Sequence, residues 1–310
     1  MDLTRKVFDR IDPLTKQVAT RAQAATIDDA DAAVASASIA FPAWSVVGPT
    51  ERRQLLLEAA DTLESMRDEF VDTMMAEIGT TDIWASFNVR LASGMLREAA
   101  AITTQIAGEV IPSDKAGCLA MSVRQPAGVC VGIAPWNAPI ILGVRAVAVP
   151  IACGNTVVLK TSEICPGTQS LIGDVFSKAG FPTGVLNVMT NAPADAAAIV
   201  GRLIANPAVR RINFTGSTRV GRIVAELAGR HLKPVLLELG GKAPLIVLDD
   251  ADLDAAVAAV AFGAFVNQGQ VCMFQVWNLP VCRSSHRSRA VTPRAESPLR
   301  DSTRQPTPRG

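Results

Sequence analysis

Residues 127–160 read AGVCVGIAPWNAPIILGVRAVAVPIACGNTVVLK, and this stretch decides the fold. Its two ends, 127–133 and 155–160, are short apolar runs typical of strands, and residues 140–152 between them predict a helix. A strand, a helix and a second strand joined by short connections are typical of parallel sheets. The stretch therefore predicts the first unit of an α/β fold.

The same alternation continues after residue 160. Further strands and helices are predicted in turn at residues 166–178, 185–188, 194–205, 211–215, 217–229 and 234–238. The pattern predicts a doubly wound parallel sheet, which binds ligands beyond the carboxyl ends of its strands. The first hundred residues predict mostly helices, and residues 108–126 predict a protruding hairpin.

Composition limits the class of protein. At 310 residues, with 49% hydrophobic and 19% charged residues, the chain is long enough for two domains with a large core. The six cysteines show no CxxC spacing, the first residues lack the apolar core of a signal peptide, and no apolar run reaches membrane-spanning length. We therefore expect a cytoplasmic protein with no membrane partner and no metal site.

Polar motifs follow the predicted strands. Asn137 comes directly after the first strand, and its amide can donate to an oxygen that becomes negative in a reaction. Alternatively, Asn137 caps the next helix. Lys160 and Glu163 follow the second strand and can hold the hydroxyls of a ribose, or they are solvated surface charges. Residues 214–221, FTGSTRVG, form a turn that opens a helix, where backbone N–H groups favour a phosphate.

Two further motifs pair a carboxylate with a thiol. Glu238 begins ELGGK at 238–242, and Cys272 ends NQGQVC at 267–272 in a Gly-flanked polar turn. They can serve as base and nucleophile, although a single Glu is usually a solvated charge and a single Cys a small buried hydrophobe. A cysteine hydrolase is disfavoured because the chain has only two histidines, at 231 and 286.

Five motifs occur together in a fixed order along the chain. They are PWN at 135–137, KTSE at 160–163, FTGS at 214–217, ELGGK at 238–242 and NQGQVC at 267–272. From about residue 8 to 273 the chain thereby resembles the NAD(P)-dependent aldehyde dehydrogenase superfamily. Within it, the chain is most similar to the bacterial salicylaldehyde, benzaldehyde and vanillin dehydrogenases, through GIAPWNAP at 132–139, NAPADA at 191–196 and AFGAF at 261–265.

The resemblance implies an oxidoreductase that converts an aromatic aldehyde to its carboxylic acid with NAD. It makes Cys272 the nucleophile that forms a thiohemiacetal and then a thioester, Asn137 the oxyanion donor and Glu238 the base for thioester hydrolysis. A carboxylate at Glu163 opposes a 2′-phosphate, so NAD is preferred over NADP. The cofactor contacts that the resemblance implies are Trp136, Lys160, Ser162, Glu163, Thr215, Gly216, Ser217, Leu239 and Gly240.

Two residues carry the expectation of an aromatic substrate. Arg145 lies between apolar neighbours on the helix after Asn137, so its cation must reach water, a carboxylate or a substrate group. A structural ion pair is the alternative for Arg145. Trp84 can form an aromatic wall for a ring-bearing aldehyde, or it can lie in the core of a helical layer.

After Met273 the sequence departs from the family pattern. The family signature Glu-Ile-Phe-Gly-Pro does not occur, and residues 274–310 carry seven arginines against two acidic residues. We expect a Rossmann-like NAD-binding domain at 1–240, the start of an incomplete catalytic domain at 241–273, and a basic tail at 274–310 that a truncation or a shifted reading frame has produced. With five prolines and few aliphatic residues, positions 280–310 predict disorder.

This departure leaves a second function open. The alternative is a catalytically inactive fragment that retains only the cofactor-binding half, and we expect the 310-residue chain to have little activity. The family is homo-oligomeric, an expectation that the altered C-terminal part weakens. No nucleic-acid partner is predicted, because the arginines of the tail have no aromatic residues among them.

Overall fold

The computed structural model describes residues 6–241, 243–248, 250–273 and, for the backbone, 275–280. They fall into two compact units, residues 1–241 and 242–310. The predicted boundary, after residue 240, lies one residue earlier. In the described ranges, no helix is both long and apolar enough to cross a lipid bilayer.

Unit 1 contains a helical N-terminal part followed by alternating strands and helices. Its strands are β1 (Val7–Ile11), β2 (Val18–Gln23), β3 (Glu109–Ile111), β4 (Ala120–Ser122), β5 (Val129–Ile133), β6 (Thr156–Lys160), β7 (Leu186–Met189), β8 (Val209–Gly216) and β9 (Val235–Leu239). Its helices are α1 (Ile27–Ser45), α2 (Pro49–Ser65), α3 (Arg67–Ile78), α4 (Asp82–Ile102), α5 (Pro139–Ala152), α6 (Pro166–Lys178), α7 (Ala196–Ala205) and α8 (Thr218–Arg230).

A five-stranded parallel sheet in the order β7-β6-β5-β8-β9 forms the centre of unit 1. The chain starts at β5, adds β6 and β7 on one side, and then adds β8 and β9 on the other. The predicted doubly wound α/β fold is therefore confirmed. In such sheets the change of direction, here between β5 and β8, opens a ligand crevice beyond the carboxyl ends of the strands.

Helices cover both faces of the central strands. Every residue of β5 and β6 is buried, as expected for parallel strands between two helical layers. Val131 faces a cluster that includes Val34 of α1, Leu203 of α7 and Val224 of α8. The next residue, Gly132, faces the opposite side, where an added Cβ would lie 2.9 Å from the Cβ of Ala146, so its lack of a side chain lets α5 pack against the sheet.

Two antiparallel strand pairs flank the helical part of unit 1. β3 and β4 pair within residues 108–126, the stretch predicted as a hairpin. β1 and β2 also pair, although the sequence of the first hundred residues predicts mostly helices. Their sequences, VFDRI and VATRAQ, mix charged and apolar residues over a short length, so hydrophobic periodicity gives little signal there.

Unit 2 contains β10 (Ala243–Val247), α9 (Leu253–Phe265) and β11 (Gln275–Pro280). Asp252 caps α9, because its side chain accepts from two backbone N–H groups of the first turn. Gln275–Pro280, which fall in the predicted basic tail, form β11, whose backbone pairs in parallel with β10. The remainder of the predicted tail, residues 281–310, lies outside the described residues.

Candidate active site

The predicted site residues of unit 1 gather at the carboxyl edge of the sheet. The register places Ile133 opposite both Lys160 and Phe214, and Thr215 opposite Glu238. Since these strands run in the same direction, the loops that follow β5, β6 and β8 emerge at the same edge as the end of β9. This edge is the candidate site.

Trp84 anchors the loop that carries Asn137. Its indole N–H donates to the backbone carbonyl of Asn137 at 3.0 Å, and its ring, 5% exposed, stacks on Phe87 with 5.4 Å between centroids. Trp84 is thus a buried residue of α4 that also contacts the loop carrying Asn137. The N-cap of α5 is Ala138, with no side-chain cap bond, so the interpretation that Asn137 caps this helix is wrong.

Gln169 joins the loops after β5 and β6, and sequence reasoning missed it. It is fully buried; its Nε2 donates to the carbonyls of Pro135 and Pro139 at 3.0 and 3.3 Å, and its Oε1 accepts from the N–H of Ser162 at 2.7 Å. The hydroxyl of Ser162 accepts from the N–H of Ile164 at 3.3 Å and shapes the second loop. A single glutamine therefore fixes both backbones.

Lys160 and Glu163 form an ion pair at the end of β6. The ammonium group is buried and the Glu163 side chain is 20% exposed, so the interpretation of two solvated surface charges is wrong. Asn191, in the loop after β7, donates to the same oxygen of Glu163, Oε1, at 3.0 Å. Within the described ranges, the other oxygen, Oε2, has no donor and is available to a hydroxyl.

Among the described residues, this part of the edge contains unpaired polar atoms. Thr161 Oγ1 and Asn191 Oδ1 are buried and have no hydrogen-bond partner within the part of the chain that the structure describes. An unsatisfied buried polar atom costs about 1–3 kcal/mol, so both atoms favour a polar ligand. Together with the available oxygen of Glu163, they can hold the hydroxyls of a ligand such as a ribose.

The start of α8 suits a phosphate at the other end of such a ligand. β8 ends at Gly216, and Ser217 is the N-cap of α8, where its hydroxyl accepts from the N–H of Val220 at 3.3 Å. The Thr218 hydroxyl donates to the carbonyl of Gly240 at 3.4 Å, which brings the end of β9 to the same turn. The N–H groups and the dipole of a helix N-terminus favour an anion.

Leu239 packs closely against α8 at Gly221. A Cβ added to Gly221 would lie 2.5 Å from Leu239 Cδ2, so a larger residue at 221 would displace the Leu239 side chain. The end of β9 is thereby held next to the helix that would bind the phosphate. Leu239 and Gly240 thus lie beside the predicted cofactor site.

A cavity of about 660 Å³ opens beside α5 on one face of the sheet. Arg145, Thr215 and Glu238 line it, and Arg145 Nη2 donates to Thr215 Oγ1 at 3.3 Å. Among the described residues Arg145 makes no ion pair, so the predicted alternative of a structural ion pair is not found. The cavity therefore combines a guanidinium with the exposed Glu238 carboxylate.

Cys272 belongs to unit 2, where it is exposed after α9. The interpretation of this cysteine as a buried hydrophobe is therefore wrong. Three consecutive residues before it adopt left-handed conformations, Asn267 with φ 47°, Gln268 with φ 55° and Gly269 with φ 73°. Such conformations are unfavourable for non-glycine residues and cluster at functional sites. This strained turn is a second signal for Cys272 that sequence reasoning did not use.

The other described cysteines differ in burial. Burial raises the pKa of Cys130 to about 11, and it raises the pKa of Cys153 and of Cys165 above the usual value for a thiol. Cys118 and Cys272 are exposed. Because the thiolate is the reactive form, the three thiols with a raised pKa are poor candidates for a nucleophile.

Comparison with known proteins identifies the family. The aldehyde dehydrogenase family profile matches residues 2–277. The chain belongs to the aldehyde dehydrogenase family. It is 64% identical over 268 residues to the vanillin dehydrogenase of Pseudomonas sp. (strain HR199 / DSM 7063), a match that covers 86% of this chain and 56% of that protein. This aldehyde dehydrogenase chain thus spans about half the length of the curated relatives it matches.

Solved structures agree with the family assignment. The crystal structure of a salicylaldehyde dehydrogenase from Pseudomonas putida G7, complexed with salicylaldehyde, has a TM-score of 0.90 and 48% identity, over 92% of this chain and 59% of that chain. The NAD-dependent benzaldehyde dehydrogenase from Corynebacterium glutamicum has a TM-score of 0.84 and 36% identity, over 89% of this chain and 59% of that chain. The predicted resemblance is confirmed.

Proposed function

We propose that this chain carries the cofactor site and the catalytic residues of an NAD-dependent enzyme that oxidises an aromatic aldehyde to its carboxylic acid. The observation that carries the proposal is the meeting of the Asn137 loop, the Glu163 loop and Glu238 at one edge of the sheet. An aromatic substrate is supported by the similarity of the chain to vanillin, salicylaldehyde and benzaldehyde dehydrogenases.

Each catalytic residue has a distinct task. The Cys272 thiolate attacks the carbonyl carbon of the aldehyde. The amide of Asn137 and the backbone N–H of Cys272 donate to the oxygen that becomes negative. NAD, when bound, accepts the hydride that leaves this carbon. Glu238 removes a proton from the water that then displaces the acid from Cys272, which regains its thiol.

The cofactor residues follow the polar edge of the sheet. Glu163 and Lys160 hold the adenosine ribose, and the Glu163 carboxylate opposes a 2′-phosphate, so NAD is preferred. Gly216 and Ser217 hold the pyrophosphate at the start of α8. The remaining proposed contacts are Trp136, Ser162, Thr215, Leu239 and Gly240.

Arg145 and Trp84 are the proposed substrate residues. Arg145 places a cation in the same cavity as Glu238, where it suits a hydroxyl or phenolate oxygen on an aromatic ring. Its present partner, the Thr215 hydroxyl, is neutral and is readily exchanged for a charged one. Trp84 backs the Asn137 loop and provides an aromatic wall.

A second candidate is a chain that binds NAD without turning over aldehyde. This candidate is favoured because the match to the vanillin dehydrogenase covers 56% of that protein. The two candidates share the cofactor site and differ in chemistry. Cofactor binding and aldehyde oxidation therefore have to be measured separately.

The experiment titrates the 310-residue chain with NAD by calorimetry and then follows NADH formation with salicylaldehyde, benzaldehyde and vanillin. Cys118→Ser is a matched control for Cys272→Ser, because both thiols are exposed. We expect NAD binding, and slow aldehyde-dependent NADH formation that disappears in Cys272→Ser and persists in Cys118→Ser. Binding without such NADH supports the second candidate, and no binding contradicts both.

The role of Glu238 is tested by pre-steady-state kinetics. Glu238→Gln should still produce a burst of NADH and then release the acid slowly, because the base acts only in thioester hydrolysis. Glu226→Gln, at an exposed glutamate paired with Arg230 on α8, is the control and should behave like the unaltered chain. Undiminished steady-state turnover in Glu238→Gln would remove it as the base.

A further inference from the structure

We propose that Asn191 is a positioning residue that sets the preference for NAD over NADP by fixing the carboxylate of Glu163. This inference rests on the proposed function, since it takes Glu163 as the partner of the adenosine ribose. It adds a residue outside the five motifs. Asn191 lies in the loop after β7, at the edge of the sheet next to β6.

Asn191 is fixed in a single orientation. The side chain is fully buried, and its Nδ2 donates to Glu163 Oε1 at 3.0 Å and to the carbonyl of Ala192 at 2.8 Å. Turning the amide over would place its oxygen against both acceptors, which electrostatic repulsion disfavours. The donor therefore faces Glu163, and the amide oxygen is left without a partner among the described residues.

The Asn191–Glu163 contact affects a competition between the Glu163 carboxylate and a 2′-phosphate for the ammonium of Lys160. The ammonium of Lys160 is buried and pairs with Glu163 Oε1, which also accepts from Asn191. Without Glu163, a buried ammonium at this position would attract a 2′-phosphate. A phosphate can take this place only if Glu163 swings away, and Asn191 opposes that movement because a charge-assisted hydrogen bond in a partly buried position would be broken.

The contact between Asn191 and Glu163 Oε1 leaves Oε2 of Glu163 available for a ribose hydroxyl. Both donors act on Oε1, so Oε2 of Glu163 remains available to accept from a ribose hydroxyl. Asn191 thus holds the carboxylate in the orientation that suits NAD without occupying the atom that binds it. Loss of Asn191 should weaken the binding of NAD slightly and strengthen the binding of NADP by a larger factor.

The test measures dissociation constants of NAD and NADP for the 310-residue chain by titration calorimetry. In Asn191→Ala we expect the ratio of the NADP constant to the NAD constant to fall about tenfold, as for the loss of one charge-assisted hydrogen bond. Asn191→Leu preserves the side-chain volume and should give the same fall, which keeps the test valid if the alanine variant does not fold.

Asn187→Ala is the matched control. Asn187 lies in β7 and donates through Nδ2 to the carbonyl of Gly184 at 2.8 Å, and within the described residues Glu163 accepts from Lys160 and Asn191 and not from Asn187. We expect this variant to keep the ratio of the unaltered chain. An equal fall in Asn187→Ala and Asn191→Ala would show a general loosening of the β7 region and would overturn the proposal.

Glu163→Gln separates this inference from the proposed function. It should lower the ratio by itself, and adding Asn191→Ala to it should have no further effect, because the carboxylate that Asn191 holds is gone. A fall in Glu163→Gln with none in Asn191→Ala or Asn191→Leu would overturn the role of Asn191 and leave the cofactor site intact. No binding of either cofactor to any variant would overturn the proposed function itself.

Discussion

Burial predicts which thiols of this chain react. Cys272 and Cys118 are exposed, whereas burial raises the pKa of Cys130 to about 11 and raises that of Cys165. Because alkylation requires an accessible thiolate, iodoacetamide at about pH 8 should modify Cys272 and Cys118 at least about tenfold faster than the two buried residues. Peptide mass spectrometry over time measures the rates, and urea-unfolded chain is the control in which they should converge. Equal rates in the folded chain would contradict the assignment.

The raised pKa of Cys130 also predicts how stability depends on pH. The folded thiol keeps its proton up to about pH 11, whereas an unfolded thiol titrates near 9.0. The stabilisation is fully present below pH 9 and is lost as pH rises through 11, by about 1.4 kcal/mol per pH unit in between. Urea denaturation at each pH measures the free energy of unfolding. Between about pH 8 and 10.5 this free energy should fall by about 2 kcal/mol less in Cys130→Ala than in the unaltered chain. Cys118→Ala should lose as much as the unaltered chain.

Helix α6 depends on a carboxylate from another helix. Glu77, fully buried at the end of α3, accepts from the N–H of Gly167 at 2.7 Å and from the N–H and hydroxyl of Thr168 at 2.9 and 2.7 Å. A negative charge there satisfies N–H groups that the first turn of α6 leaves unpaired and complements the helix dipole.

Glu77→Gln should therefore lower the free energy of unfolding by about 2–3 kcal/mol, because the amide turns a donor toward a donor. Urea denaturation followed by circular dichroism measures the change. Asp72→Asn, at an exposed acid on the same helix, is the control and should change stability by less than about 0.5 kcal/mol. A similar small change in Glu77→Gln would show that the cap contributes little.

Elements with a strong local signal were predictable from sequence. The alternation from β5 to β9 was found because buried parallel strands are continuous apolar runs, as VCVGI and TVVLK show. β1 and β2 were missed because half-buried strands with charged residues carry no such signal. β11 was assigned to the tail because composition alone does not reveal pairing with a strand about 30 residues earlier.

The contacts that organise the site were not predictable. Asn191 meets Glu163 across 28 residues, Gln169 meets Pro135 across 34, and Glu77 meets Thr168 across 91. Motifs identified the polar residues at the edge of the sheet, because parallel strands place their ends together. Gln169 and Glu77 belong to no motif used above, and NAPADA at 191–196 indicated a family resemblance without giving Asn191 a role, since any residue type with a suitable donor or acceptor can serve once the fold brings it there.

At the level of the whole chain, the nucleophile and the cofactor edge belong to different units. Glu163 and Glu238 lie in unit 1, whereas Cys272 lies in unit 2. Within α9, which leads to the Cys272 turn, only Gly263 is buried, and Phe265 at its end is 66% exposed. Large apolar side chains left exposed on a helix give the turn that follows it fewer packing contacts to fix its position.

We therefore expect the 310-residue chain to bind NAD but to oxidise salicylaldehyde at least about a hundredfold more slowly than the salicylaldehyde dehydrogenase from Pseudomonas putida G7, of whose crystallised chain it covers 59%. A displacement of about 1 Å between reacting groups can cost about a hundredfold in rate. Presence of Cys272, Glu238 and Asn137 therefore does not ensure their alignment. NADH absorbance gives kcat/KM for the two proteins side by side, and calorimetry gives their affinities for NAD. Comparable kcat/KM values would show that the exposed α9 does not disturb Cys272, whereas equal NAD affinity with a large loss of rate would locate the defect in the position of the nucleophile.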